Sequence, residues 1–116
     1  MSRYEELPVF KAIYDLLVEM FKFTKNFSKD YKYTIGESLK KETVELITLI
    51  YRANSQRKKA DILQEAREHI EVIRLFIRLL KDLHQINIKK FIYINKQVET
   101  VSKQLTGWQK SARAAE

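Results

Sequence analysis

The chain has 116 residues and a formal net charge of +7, from 22 Lys and Arg against 15 Asp and Glu. It has no Cys, which excludes disulfides and thiolate metal sites, and its two Gly and one Pro are too few turn residues for a β-rich fold. One nearly all-α domain over residues 1–116 is expected, basic enough to attract polyanions, nucleic acid before an acidic protein patch or membrane headgroups.

The opening "MSRYEELP" contains no apolar signal-peptide core, and no apolar run approaches the ~20 residues needed to cross a bilayer. A soluble, cytoplasmic protein without membrane contact is expected. The first helix, about 8–26, opens at Pro8, whose fixed φ and missing N–H suit a first helical position. Phe10, Ile13, Leu17 and Met20 follow the spacing of a buried stripe, and Val9, Leu16, Phe21 and Phe23 widen it. The polar stretch "TKNFSKDYKYT" (24–34) breaks it.

The second helix, about 34–54, begins with a capping box in which Thr34 and Glu37 bond reciprocally to each other's amides. Leu39, Leu46 and Ile50 form one apolar row, and Val44, Ile47 and Tyr51 a neighbouring one. The third, about 60–84, carries two seams. Leu63, Ala66, Ile70, Ile73, Ile77 and Leu80 make one; Val72, Phe76, Leu79 and Leu83 make another on a different face. A bundle helix in a monomer needs a single seam, so either this helix is central within the bundle or, the favoured reading, the second seam packs against an identical copy.

The fourth helix, about 89–113, holds Phe91, Ile94, Val98, Val101, Leu105, Trp108 and Ala112 in an a/d heptad pattern that puts Trp108 in the core. Connections of at most about 7 to 9 residues fit an antiparallel up-down-up-down four-helix bundle.

The pattern holds no catalytic or cofactor signature. Ferritin-like sites need Glu three residues before His, but Ala66 and Lys81 stand there before His69 and His84, so no metal site is expected. His84 reads as a helix-end residue. Neither a Ser-His-carboxylate set nor a Gly-rich phosphate loop is visible, so no enzyme and no cofactor are expected.

Cationic groups remain. Lys89, Lys96, Lys103 and Lys110 recur every seven residues, at heptad position f, opposite the core. They form a row of roughly 32 Å at 1.5 Å rise per residue. The row is either an ordinary solvated face or a track for several phosphates. On the third helix Arg67, Arg74, Arg78 and Lys81 flank the seams. They suit phosphate contacts or ion pairs with Glu71 and Asp82. The corner "RANSQRKK", with Arg52, Arg57, Lys58 and Lys59, suits either a polyanion or the dipole of the preceding helix. Tyr31, Tyr33 and Tyr93 lie near lysines, where they could stack on bases or form the rim of the core.

Together, "FSKDYKYTIGESL" (27–39), "IRLFIRLLKDL" (73–83) and "LTGWQKS" (105–111) resemble the accessory variability determinant (Avd) proteins of diversity-generating retroelements. These belong to a wider set of small four-helix proteins that includes those encoded in intervening sequences of large-subunit ribosomal RNA genes. Tyr33-Thr34-Ile35-Gly36 and Gly107-Trp108 are its most specific pieces, and Arg74 with Arg78 matches the arginine-rich third helix. Ser28 stands where the family often has proline, and Thr106 where a second glycine is frequent. The resemblance implies a basic, ring-like homo-oligomer, a pentamer in the family. It further implies binding to RNA, DNA or their hybrid with little sequence preference, association with a reverse transcriptase, and support of error-prone cDNA synthesis. An rRNA intervening-sequence protein, or a protein-only scaffold for an acidic partner, shares the fold and charge.

Overall fold

A computed structural model describes residues 3–116; residues 1 and 2 of the expected domain range lie outside it. Four long helices carry the fold: α1 (Pro8–Phe23), α3 (Ile35–Ser55), α4 (Ala60–Asp82) and α5 (Ile88–Ala115). The one-turn helix α2 (Lys29–Lys32) and two 3-10 turns, Tyr4–Glu6 and Thr24–Asn26, complete it, and no strand occurs among the described residues. The expected boundaries hold to within about three residues, but α2 was not foreseen.

Each long helix packs on two others, α1 on α3 and α5, and α4 on α3 and α5, so the four form a closed square. Two long-range hydrogen bonds fix which ends meet. Gln85, after α4, accepts from the Ser28 amide after α1 at 2.9 Å. Glu116, at the end of α5, accepts from the Lys59 amide that precedes α4 at 2.7 Å. Together with short links at 56–59 and 83–87, these contacts make the bundle antiparallel, up-down-up-down, and 46 Å long.

The core forms where the stripes meet. All six residues of the first α4 seam, Leu63, Ala66, Ile70, Ile73, Ile77 and Leu80, are fully buried. In α1 the buried register is Val9, Ile13, Leu16, Met20 and Phe23, while Phe10 and Leu17 are half-buried. Both registers have helical spacing, so only the positions of α3 and α5 choose between them. In α3, Leu39, Leu46, Leu49 and Ile50 are core, whereas Val44 and Tyr51 face solvent. Buried Thr43 donates to the Leu39 carbonyl at 2.9 Å, which satisfies its hydroxyl beside the Met20 thioether.

Two local expectations are corrected, and a third, His84 at the helix end, is met. The Thr34–Glu37 capping box does not form. The Thr34 hydroxyl donates instead to the Asp30 carbonyl at 2.7 Å, because α2 ends just before it and offers free carbonyls. Glu37 turns to Lys40 at 2.9 Å.

Trp108 is half-buried on the flank of α5, and Gln109, 1% exposed, takes the inward place. A straight α-helix drifts ~20° per heptad, so the a/d seam leaves the core line after three heptads. The buried step after Leu105 is therefore four residues, not three.

His84 lies outside α4 with φ 59°. The Gln85 amide donates to the Leu80 carbonyl at 2.9 Å and the His84 amide to Lys81 at 3.0 Å, a Schellman closure with histidine at the left-handed position.

Gly36 is buried beneath the 24–31 segment, where a Cβ would be in ordinary contact with the Tyr31 carbonyl oxygen at 3.4 Å and the Phe27 ring at 3.5 Å.

Candidate nucleic-acid interface

The two heptad rows of cations meet different fates. On α5, Lys89, Lys96, Lys103 and Lys110 are all exposed, and no ion pair among the described residues engages any of them. Asn87 sets where α5 begins, its side chain accepting from the Lys90 amide at 2.7 Å, a cap that the sequence reading missed. From there the helix runs unbroken for 28 residues, which keeps the row straight. Four ammonium groups spaced about 10.5 Å apart, at 1.5 Å rise per residue, present a continuous positive stripe to solvent.

On α4, the row Arg67, Arg74 and Lys81 turns against α5. Arg67 donates to Gln109 at 2.6 Å rather than pairing with Glu71. Arg74 bridges Glu99 of α5 and Glu71 of its own helix, the latter at 3.3 Å. The Lys81 ammonium lies 4.7 Å from the Phe91 ring centroid and 3.7 Å from Asp82. Arg78 alone of the four is exposed, 4.0 Å from Asp82. These three side chains therefore fasten α4 to α5, while Arg78 and the lysine row remain open to solvent.

Beside them runs an apolar stripe. Val72, Leu75 and Leu79 of α4 are 36%, 63% and 38% exposed. Of the expected second seam, Phe76 packs against the core and Leu83 is half-buried, so the seam is split between inside and outside. Leu75, the most exposed of the stripe, was missed because it belongs to neither seam. It stands at 3-4 spacing between Val72 and Leu79, which is the signal that could have found it. Tyr33 and Tyr93 are exposed and Tyr31 half-buried; Lys90 stands 5.6 Å from the Tyr93 ring centroid.

One cluster of titratable groups escaped the sequence reading. Glu42 and Glu45, one turn apart on α3, meet His69 of α4, with ligand atoms within 4.8 Å of one another. Glu42 hydrogen-bonds the His69 Nδ1, and Glu45 lies 3.7 Å from it. The motif spans two helices, so no linear spacing announces it. No helix among the described residues is long and apolar enough to cross a membrane.

Residues 9–112 match a family model described as bAvd-like, which covers nearly all of the bundle. No curated protein matches the chain.

Proposed function

The chain belongs to the bAvd-like family, and on that premise we propose that it is a non-catalytic accessory subunit of a diversity-generating retroelement. It binds template RNA, cDNA or their hybrid and associates with the retroelement's reverse transcriptase, supporting mutagenic cDNA synthesis. The observation that carries this reading is the unpaired lysine row of α5, on a chain with net charge +7.

Lys89, Lys96, Lys103, Lys110 and Arg78 contact backbone phosphates, and phosphate contacts of this kind carry little sequence information. Arg67, Arg74 and Lys81 contribute to the field while holding α4 on α5. Sister copies cover Val72, Leu75 and Leu79, with Phe76 and Leu83 behind them, and assemble a ring-like homo-oligomer, a pentamer. Assembly multiplies the stripe, which raises affinity for a long polyanion.

The test is a binding titration of labelled RNA, DNA and hybrid at several salt concentrations. Log K should fall by about 0.7 to 0.9 per log unit of salt for each phosphate contacted. Absence of retained nucleic acid at low salt overturns the reading and points to a scaffold for an acidic protein.

A further inference from the structure

At the end of the bundle where α3 gives way to α4, a cavity of about 480 Å³ is bordered by Arg57, Lys58, Lys59, Trp108, Ser111 and Glu116. No ion pair among the described residues neutralises any of the three cations. The Lys59 ammonium stands 5.5 Å from the centroid of the Trp108 ring, which is half-buried on this rim and packs against the edge of the core. An anionic group already sits there: the Glu116 carboxylate accepts from the amides of Lys59 at 2.7 Å and Ala60 at 3.3 Å.

We propose that this corner is a second contact for single-stranded nucleic acid, taking one phosphate and its unstacked base, with the Glu116 carboxylate as the internal group that the phosphate displaces. The proposal rests on the nucleic-acid reading above and adds a place and a strand type to it. A guanidinium fork and two ammonium groups suit a phosphate, which carries more charge and more acceptor oxygens than a carboxylate. The indole, now under the Lys59 ammonium, takes a base that is free of its neighbours once that ammonium turns to the phosphate, and duplex bases are not free.

Trp108 is the chain's single tryptophan and borders this corner, so its emission responds to what binds there. The experiment titrates the intact protein with a short single-stranded RNA, following Trp108 emission and, in parallel, anisotropy of a label on the RNA. Saturable quenching is expected, severalfold weaker in affinity for an R57Q/K58Q variant. A K22Q/K25Q variant, equal in charge loss but remote from the cavity, should keep the affinity of that quenching close to wild type. E116Q, which keeps an oxygen for the two amides and removes the competing charge, should bind severalfold more tightly.

Anisotropy that rises while Trp108 emission stays constant overturns the corner and leaves the lysine row standing. Silence in both signals sinks the corner together with the nucleic-acid reading. Quenching by inorganic phosphate alone at the same concentrations overturns the strand assignment and leaves a simple anion pocket. Equal quenching by a blunt duplex overturns the single-strand preference.

Discussion

The Arg67 guanidinium donates to the buried Gln109 side chain at 2.6 Å, so a cation that heptad spacing presents as free is tied into the seam between α4 and α5. The Gln109 amide nitrogen in turn donates to the Ala60 carbonyl at 3.2 Å and to Gln64 at 2.9 Å. Gln109→Ala would leave the groups around it unsatisfied and open a gap, at a cost of about 1–3 kcal/mol. Urea unfolding of Gln109→Ala, Arg67→Ala and the double variant measures it. The two losses should add to more than the double variant's, because they share one network.

Replacing His84 by glycine should stabilise the chain. Its φ of 59° lies in the left-handed region, where any Cβ is strained, and its side chain is exposed. A gain of about 0.5–1 kcal/mol is expected from the relief, read as a higher denaturant midpoint at unchanged slope.

Gly107→Ala should also stabilise, for a different reason. Gly107 is helical and exposed, and a Cβ there meets nothing within 4 Å. Alanine in a helix interior gains about 0.5–1 kcal/mol over glycine, seen as a raised Tm. A variant that is more stable yet assembles poorly would show that a neighbouring molecule approaches the backbone at this point.

Neutralising the α5 row separates binding from folding. Lys89→Gln, Lys96→Gln, Lys103→Gln and Lys110→Gln should each leave stability within about 0.5 kcal/mol, as expected of exposed surface residues. In salt titrations each lost phosphate contact should reduce the log–log slope by about 0.7 to 0.9. Four variants with the wild-type slope would remove the row from the interface.

The α4 stripe predicts a change in mass. Leu75→Glu replaces a side chain that is 63% exposed in the single chain, so the bundle should fold normally. Light scattering should then report a monomer where the unaltered protein gives an assembly. An unaltered protein that is monomeric at working concentration would end the oligomer proposal.

Much of the bundle was legible in the sequence because it depends on local periodicity. The α4 seam from Leu63 to Leu80 has 3-4 spacing and is buried throughout. The chain reverses at the stretches 24–34, 56–59 and 83–87, of which only the first lies beside a glycine, Gly36. The lysine row was legible for the same reason: spacing of seven places residues on one face wherever the helix forms.

Harder to foresee was everything that depends on a second helix. Thr34 and Glu37 satisfy the pattern of a capping box, yet the hydroxyl found a carbonyl of α2 first. Val9 and Leu16 outrank Phe10 and Leu17 only because α1 is rotated between α3 and α5. The Glu42–Glu45–His69 cluster joins a carboxylate pair to a histidine 24 or more positions further along the chain.

By itself the sequence determined four amphipathic helices and a basic outer face, which follow from residue spacing along one helix, and their antiparallel order, which follows from short connections. Tertiary structure alone decided which cations stay free, because an arginine's partner is whatever the neighbouring helix places within reach of its fork. It also decided that Gln109 turns inward and Trp108 only to the flank, since the drift of a straight helix against its heptads matters only once a partner fixes where inward is.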